Sequence, residues 1–534
     1  MKVMKIDHLS LEQKIGQMLM VGFHSTFYDD HIEQLIREYK IGNVILFSRN
    51  IEDINQTREL CAQIQSQAIK YTGIPAFISI DQEGGMVVRF HKDVTYLPGN
   101  MAVGATYDPA NARKVATIAA KELKALGINM NFAPVLDVNN NPLNPIIGVR
   151  SYGEDPKKVA DFGVSYIKGL QGNGVIATAK HFPGHGDTAV DSHVDLPLVP
   201  HDKERLQRVE LYTFRKAVES GVDAVMTAHI LFPALEDDRL PATLSYNILT
   251  KVLREKLGFN GVIVTDCMEM SAIAKYFGTA AAVVQAIKAG ADLVLISHTK
   301  ETQIGAFNKI KKAVLRGEIS IDRIDESVNR ILRLKQKYRL FENPYPDESG
   351  IKLIGSKEHW EIVREISLKS ITLVKDEFKL LPVRGKNILA VSPQMMPASA
   401  ADDRMLPSLS FADSFVSFAD SFVDRFGGTR KVIPLNPDEP TIDSIVAEAV
   451  GKDAVVVGTY NAHLNPAQAK LVNSLLDASK KVMVVALRNP YDLLSFKGVS
   501  TYLCAYEYTP LSVESVLEVL NGKIVPQGKL PVSL

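Results

Sequence analysis

The sequence predicts an α/β protein in which a (β/α)8 barrel of the TIM type is followed by a smaller α/β domain with a layered sheet. Three observations support this prediction. Eight short, β-branched apolar segments lie before residue 297, and each is separated from the next by enough chain for a helix. Polar side chains directly follow five of these segments, as they do at the mouth of a barrel. A stretch rich in Pro, Gly and acidic residues interrupts the pattern near residue 340.

The eight predicted barrel strands are runs of Val, Ile, Ala and other apolar residues. They are Gln17–Phe23, Asn43–Phe47, Ala76–Ile80, Asn129–Val135, Val175–Ala179, Ala224–Thr227, Val262–Thr265 and Asp292–Ile296. The barrel domain is predicted to span residues 1–340, a length within the usual range for this fold. A dinucleotide-binding Rossmann domain is disfavoured, because no G-x-G-x-x-G sequence follows an early strand.

Residues 341–375 are expected to form a linker and a connecting helix between the two domains. Pro, Gly and acidic residues are concentrated between Arg339 and Ser356, where they interrupt the helical periodicity. The helical stretch His359–Thr372 follows and carries the only tryptophan, Trp360.

The C-terminal α/β domain is predicted over residues 376–534. Its predicted strands are Ile388–Val391, Val432–Pro434, Ala454–Gly458, Val482–Ala486 and Thr501–Ala505. Within this domain the heptad SFADSFV occurs twice in tandem, at Ser410–Val416 and Ser417–Val423. We expect the duplication to lengthen a helix or a loop.

The composition excludes several classes of partner. The 61 Lys and Arg residues balance 61 Asp and Glu residues, so no global field favours nucleic acid or an anionic membrane surface. The three cysteines are far apart, which disfavours a disulfide framework and indicates a reducing compartment. Met1–Leu11 lacks the apolar core of a signal peptide, and no apolar run is long enough to span a membrane. We therefore expect a cytoplasmic protein. The oligomeric state is not indicated.

The segment Lys180–Asp187 (KHFPGHGD), with Asp191-Ser192-His193 after it, is the most informative part of the chain. It places three histidines and two carboxylates in one loop that Gly and Pro interrupt. An Asp two residues before a His can hold the imidazole ring and set its tautomer. The pair Asp191 and His193 is therefore a candidate for giving and taking a proton.

Further polar side chains lie where the predicted strands end. They are Asp81, Asp137, Lys180 with His181, His229 and Asp266. One such residue alone could be a helix cap or a buried hydrogen-bonding group. Five strand ends with reactive groups instead predict one functional site at the mouth of the barrel.

Cleavage of a glycosidic bond requires two carboxylates, or one carboxylate and another proton donor, on either side of a bound sugar. Asp266 is the candidate nucleophile because it ends a strand that would fix its direction. Glu269 is its rival, but it would lie three residues further on and point away. His193, held by Asp191, would act as the acid and then as the base. The side chains expected to hold the sugar are Asp81, Arg150, Lys180 and His181.

These motifs resemble those of glycoside hydrolase family 3, in its bacterial β-N-acetylglucosaminidase branch. The motifs are DQEGG from Asp81, NFAPVLDV from Asn131, RSYG from Arg150, KHFPGHGDT with DSH, and Thr265-Asp266. The resemblance implies a retaining mechanism with Asp266 as nucleophile and Asp191 with His193 as acid/base.

The resemblance has implications for the substrate as well. It implies that Asp81, Asp137, Arg150, Lys180 and His181 bind the N-acetylglucosamine ring. The substrate would be a small carbohydrate, a muropeptide-type fragment met in peptidoglycan recycling. No metal or other cofactor is implied.

The same residues suggest three alternative functions. The candidate ligands of a zinc hydrolase would be His181, His185, Asp187, Asp191 and His193. This function is disfavoured, because no H-E-x-x-H is present and because Pro and Gly separate His181 from His185 where a helix would be needed. A phosphorylase, in which phosphate replaces water, stays open because the same residues would serve it. A catalytically silent sugar-binding protein is disfavoured, because the nucleophile and the acid/base pair are both present.

Overall fold

The computed structural model describes residues 6–189, 191–394, 416–479 and 481–534. Within these ranges the strands form two sheets, one of eight strands and one of six. The larger sheet is a parallel barrel and the smaller one belongs to a second α/β domain, so the predicted fold class is confirmed.

The barrel strands follow one another around the sheet in chain order. They are β1 (Leu19–Val21), β2 (Asn43–Leu46), β3 (Phe77–Ile80), β4 (Met130–Asn131), β5 (Ile176–Phe182), β6 (Ala224–Thr227), β7 (Val262–Val264) and β8 (Val294–Ile296). All neighbours pair in parallel, and β1 pairs with both β2 and β8. A parallel bridge between Val264 and Leu293 joins β7 to the segment before β8 and closes the barrel.

The strand residues are all buried, because the barrel interior covers one face and helices cover the other. This explains why the strands are continuous apolar runs without an alternating pattern. Strand β4 is much shorter than the predicted Asn129–Val135. Pro134 has no N–H to donate to a ladder, so pairing continues only as an isolated bridge between Val135 and Lys180.

Helices alternate with these strands. They are Leu11–Gln17, Asp30–Tyr39, Ile54–Thr72, Asn100–Ala105, Pro109–Leu126, Pro156–Gly172, Lys203–Arg208, Glu210–Glu219, the π-helix Asn247–Lys256, Ser271–Ala274, Thr279–Ala289, Lys300–Leu315 and Ile321–Lys337. Their starts have a local cause in the sequence. Asp53, for example, accepts hydrogen bonds from two first-turn amides, and Pro109 and Pro156 occupy first helical positions. No helix in the described ranges is long and apolar enough to cross a bilayer.

The predicted connecting helix is present as Lys357–Ser370. Its His359 lies with Nδ1 2.7 Å from Oε1 of Glu122, which ties the helix to the barrel. A strand that the sequence did not predict, β9 (Thr372–Asp376), follows directly. The predicted boundary between the linker and the C-terminal domain, at residue 375, falls inside β9. The division into domains stays a prediction.

The second sheet contains β9 and five further strands. They are β10 (Ile388–Pro393), β11 (Thr429–Ile433), β12 (Ala454–Thr459), β13 (Val482–Ala486) and β14 (Thr501–Cys504). Their order is β11-β10-β12-β13-β14-β9, parallel except for β9 against β14. The helices of this domain within the described ranges are Phe418–Phe426, Glu439–Ala449, Pro466–Ala478 and Pro510–Leu520. Apolar clusters lie on both faces of the sheet, as the layered prediction requires.

The duplicated heptad is only partly described. Residues 410–415, nearly all of the first copy, lie outside the described residues. The second copy begins the helix Phe418–Phe426, where the Ser417 hydroxyl accepts the Asp420 N–H at 3.1 Å as the N-cap.

Candidate active site

A cavity of about 270 Å³ opens at the carboxyl ends of the barrel strands. Six of the predicted site residues line it: Asp81, Arg150, Lys180, His181, His193 and Asp266. Asp137 and Asp191 lie behind the two lining histidines and hydrogen bond to them. The structure therefore brings together the eight residues that the sequence assigned to catalysis or sugar binding, from the ends of strands or the loops that follow them.

Asp266 lies two residues after β7, and its Oδ1 accepts the N–H of Cys267 at 2.7 Å. Burial by itself would raise the pKa of Asp266. The imidazoles of His229, His181 and His193 outweigh that effect, so the pKa is lowered from its ordinary value. Asp266 is thus a carboxylate at neutral pH, as a nucleophile must be.

Glu269, the rival nucleophile, is used differently. Its two oxygens accept the backbone N–H groups of His298 at 2.6 Å and Thr299 at 3.0 Å. These bonds place a negative charge beside the N-terminus of the helix Lys300–Leu315, where it is stabilising. The structure therefore gives Glu269 a structural function and leaves Asp266 in the cavity.

His193 and Asp191 form a close pair. The Nδ1–H of His193 donates to Oδ1 of Asp191 at 2.7 Å, and the His193 backbone N–H donates to the same oxygen at 2.8 Å. Burial would raise the pKa of Asp191, but its bonds to His193 lower it below the ordinary value. The aspartate is thus charged and holds the ring through Nδ1, which leaves Nε2 for proton transfer.

His185 supports this pair from behind. Its Nδ1 lies 2.8 Å from Oγ1 of Thr188 and its Nε2 lies 3.2 Å from Oγ of Ser192, the residue between Asp191 and His193. Burial lowers the pKa of His185 to about 4, so this ring is neutral at physiological pH. His185 therefore positions the loop and is not a ready source of protons.

A network of opposite charges forms another wall of the cavity. Lys180 Nζ lies 2.7 Å from both Oδ1 of Asp81 and Oε1 of Glu83. The Arg150 guanidinium donates to both oxygens of Glu83, at 3.0 and 2.8 Å. Burial would raise the pKa of Glu83, but Arg150 and Lys180 hold it well below its usual range. The Glu83 carboxylate is therefore a charged acceptor that does not take up a proton near neutrality.

Glu83 was not among the residues predicted from sequence. The signal was available, because Glu83 stands two residues after Asp81 in the same DQEGG motif. Arg89, which contacts Asp81 at 3.3 Å, was missed for a different reason. It lies eight residues from Asp81 in a loop, and only the folded chain brings the two side chains together.

Asp137 was predicted to bind the sugar ring, but it lies behind His181 and does not line the cavity. It is fully buried, and its Oδ2 accepts the Nδ1–H of His181 at 2.7 Å. Its Oδ1 accepts the backbone N–H groups of His181 and His185 at 3.2 and 2.7 Å. Burial would raise the pKa of Asp137, but His181 lowers it. This geometry suits orientation of His181, and direct contact of Asp137 with a sugar stays a prediction.

The residues of a third wall of the cavity were also not predicted from the sequence. Phe47, Arg49 and His298 follow β2 and β8 and line the cavity. The guanidinium of Arg49 lies 4.2 Å from the centre of the Phe47 ring, which in turn lies 5.5 Å from that of His298. Burial and the charge of Arg49 lower the pKa of His298 to about 4. The sequence signal for them is their position at or just after the ends of two predicted strands.

The five residues weighed as zinc ligands do not form a metal cluster among the described residues. His181 and His193 instead bond to Asp137 and Asp191, and Asp187 lies 2.7 Å from Nε2 of His201. The described ranges contain one group with ligand atoms within 4.8 Å of one another, namely Cys267, Glu269 and His298.

Comparison with known proteins agrees with this geometry. Residues 10–334 match the profile described as "Glycosyl hydrolase family 3 N terminal domain". The structure is similar to that of a glycoside hydrolase family 3 β-N-acetylglucosaminidase from Paenibacillus sp. str. FPU-7, with a TM-score of 0.92 and 44% identity. That likeness covers 98% of this chain and 99% of the Paenibacillus chain.

Two further relatives extend the comparison. β-Hexosaminidase A from Pseudoalteromonas piscicida is 31% identical, over 98% of this chain and 97% of that protein. A solved β-glucoside phosphorylase is 25% identical with a TM-score of 0.83, over 99% of this chain and 95% of its own.

Proposed function

Because this chain belongs to glycosyl hydrolase family 3, we propose that it is a retaining exo-β-N-acetylglucosaminidase that removes terminal N-acetylglucosamine from muropeptide-type cell-wall fragments. One observation above all supports the proposal. A charged Asp266 and the Asp191–His193 pair belong to the same cavity, beside a network that offers both hydrogen-bond donors and charged acceptors to a sugar.

In the first step, the Asp266 carboxylate attacks the anomeric carbon of the terminal sugar. The bond to the leaving oxygen breaks, and Nε2–H of His193 protonates that oxygen, so a neutral alcohol departs. The sugar is then held as an ester of Asp266. Asp191 stabilises the imidazolium form that precedes this transfer, because its charged carboxylate faces Nδ1–H at 2.7 Å.

In the second step, the now neutral His193 removes a proton from water. The resulting nucleophile attacks the anomeric carbon, and the bond to Asp266 breaks to restore the carboxylate. Two inversions at the same carbon give net retention of configuration. His193 ends the cycle protonated, as it began.

The charged network would bind the sugar ring. Asp81 and Glu83 can accept hydrogen bonds from sugar hydroxyls, while Arg150, Lys180 and His181 can donate. Since each of these groups is already held by an ion pair or hydrogen bond, little reorganisation is needed when the sugar binds. The network would thus orient the anomeric carbon toward Asp266.

A fluorinated N-acetylglucosaminyl donor tests the covalent step, because it slows the second step more than the first and lets the intermediate accumulate. After digestion, mass spectrometry should find the sugar on the peptide that contains Asp266. The variant Asp266→Asn should give no adduct. A wild-type enzyme that turns over substrate but forms no adduct on this peptide would refute the proposed nucleophile and the covalent route.

A phosphorylase is the second candidate, because a β-glucoside phosphorylase is similar to this chain over its whole length. The use of a neutral histidine in place of a second carboxylate would also reduce repulsion of an incoming phosphate. Product analysis in phosphate buffer separates the two functions. A hydrolase releases free N-acetylglucosamine, whereas a phosphorylase releases the sugar 1-phosphate.

A further inference from the structure

The barrel loops that touch the C-terminal domain are the same loops that carry part of the candidate active site. They are residues 83–107, after β3, and residues 137–154, after β4. The first contains Glu83 and the second contains Arg150. Hydrogen bonds from these loops reach the C-terminal domain at several points, for instance from Asn139 Nδ2 to the Tyr491 hydroxyl at 2.9 Å.

Glu507 makes the most unusual of these contacts. It lies just after β14, is only 2% exposed, and its Oε2 accepts the backbone N–H of Gly99 at 2.6 Å. The Thr509 hydroxyl donates to the other oxygen at 3.2 Å. An added Cβ on Gly85 or on Gly99 would lie only 2.9 Å from Oε2, so the carboxyl group would have to shift if either glycine gained a side chain.

Each of these glycines is close in the chain to the sugar-binding network. Gly85 lies two residues after Glu83, which pairs with Arg150. Gly99 is the N-cap of the helix Asn100–Ala105, and the Asn100 side chain donates to the backbone oxygen of Arg150 at 2.6 Å. The carboxyl group of Glu507 therefore holds the backbone at Gly99, next to the Asn100 side chain that bonds to the Arg150 backbone.

A small cavity of about 10 Å³ separates Glu507 from that pair and is lined by Glu83, Arg150 and Glu507 together. The C-terminal domain thus comes within one side-chain layer of the active site. Burial raises the pKa of Glu507 to about 7, so a carboxyl group at this position costs stability. Such a cost is common where a buried polar group serves function.

We propose that Glu507 is a positioning residue, supplied by the C-terminal domain, that fixes the first loop at Gly99 and, through Asn100, the backbone of Arg150, so that Arg150 and its partner Glu83 hold the sugar in its productive orientation. This inference rests on the proposed glycosidase function. Glu507 acts through the backbone of Gly99 and does not itself touch the substrate.

Steady-state kinetics with a chromogenic β-N-acetylglucosaminide test the proposal. Glu507→Ala should raise KM by about 10-fold, while kcat changes by less than about 3-fold, because the binding wall loosens and the nucleophile does not. Glu507→Gln keeps an acceptor for the Gly99 N–H and should restore KM to within about 3-fold of wild type. Tyr107→Phe is the matched control, since it removes the bond from the Tyr107 hydroxyl to the Leu530 carbonyl in the same interface.

The result that would overturn the proposal is an unchanged KM in Glu507→Ala, or equal effects of Glu507→Ala and Tyr107→Phe, which would show only a general weakening of the interface. Hydrogen exchange gives a second readout that does not depend on turnover. Peptides that cover residues 97–105 should exchange faster in Glu507→Ala than in Tyr107→Phe. If wild type shows no glycosidase activity, the proposed function fails, while the exchange experiment still decides whether Glu507 holds the loop.

Discussion

At the scale of single residues, the candidate nucleophile and the aspartate of the acid/base pair stay charged for different reasons. Asp266 stays charged because three imidazoles outweigh the effect of burial on its pKa. Asp191 stays charged because His193 bonds to it. The sequence predicted both residues for one site, since both stand in distinctive motifs, and the structure places Asp266 at the cavity and Asp191 behind the lining residue His193. Arg49 and His298 follow predicted strands but stand in no distinctive motif, so only their place at strand ends pointed to the cavity that they line.

Asp266→Asn is expected to lower kcat by about 10³-fold or more, because an amide cannot form the glycosyl ester. Glu269→Gln is the matched control, since Glu269 is a neighbouring carboxylate that holds backbone amides and should keep turnover within about 10-fold of wild type. Turnover measured on an aryl β-N-acetylglucosaminide compares the two. If Asp266→Asn keeps more than about a tenth of wild-type kcat, the nucleophile is a different residue.

The role of His193 and Asp191 in proton transfer is best tested by comparing substrates that differ in their leaving group. His193→Ala should slow a disaccharide far more than an activated aryl glycoside, because a phenolate departs without protonation and a sugar alkoxide does not. Asp191→Ala should show the same selectivity in milder form. His201→Ala provides the control, since His201 forms an Asp–His pair with Asp187 at the same distance of 2.7 Å. Equal losses on both substrates in His193→Ala would make the pair structural.

At the scale of elements, the barrel strands were predictable because each is a buried apolar run between helices. β9 was missed because its outer residues are polar and partly exposed, as in Thr372–Asp376 at the edge of the second sheet. The predicted strand Val432–Pro434 begins after the true start of β11 at Thr429, because the residues from Thr429 to Lys431 are polar. β11 lies at the other edge of the second sheet. Edge strands have little apolar signal, so local sequence does not reveal them.

The loop that carries the acid/base pair, residues 191–199, is fixed at several points. The Ala272 N–H donates to the Ser192 carbonyl at 3.3 Å, and the Val199 N–H donates to the Leu231 carbonyl at 2.9 Å. The Tyr276 hydroxyl donates to the carboxylate of Asp195 in the middle of the loop. His193 therefore depends on neighbouring elements for its position.

Tyr276→Phe removes the hydrogen bond from Tyr276 to Asp195. It should lower kcat/KM on a disaccharide by about 3-fold, as expected for the loss of one exposed hydrogen bond. The effect should be weaker on an activated aryl glycoside, which does not need the proton. Tyr246→Phe is a control at another exposed tyrosine. An unchanged kcat/KM in Tyr276→Phe would show that the loop does not need this bond.

At the scale of the whole molecule, the two domains share a continuous apolar interface. Met101, Ala102, Ala105 and Val149 of the barrel loops pack in the same buried cluster as one face of the second sheet. The sequence predicted two domains with all chemical groups in the first. It did not indicate that the second domain packs behind the sugar-binding network, because no local pattern specifies which surfaces of two domains meet.

Glu507 makes the stability of this interface depend on pH. Burial raises its pKa from 4.5 to about 7. Between these values the unfolded chain has released the proton while the folded protein keeps it, so the contribution of Glu507 to stability falls as the pH rises from about 4.5 to about 7. Glu83, Arg150 and Tyr506 are the titratable groups that line the same small cavity.

The Tm of Glu507→Gln relative to that of wild type should therefore increase by a few degrees between about pH 5 and about pH 8. Tyr107→Phe, which removes no titratable carboxyl group, should show a difference that does not change over this range. Thermal unfolding of the three proteins at both pH values measures this. The same difference for Glu507→Gln at both values would contradict the raised pKa.

The preference for N-acetylglucosamine is the central claim, and turnover of a chromogenic β-N-acetylglucosaminide beside the matching β-glucoside tests it most directly. Polar groups that bind the acetamido substituent would be left unpaired by glucose, which discriminates strongly against it. We expect kcat/KM to be at least about 10-fold higher for the N-acetylglucosaminide. Equal values for the two substrates would contradict the assignment while leaving the fold and the family intact.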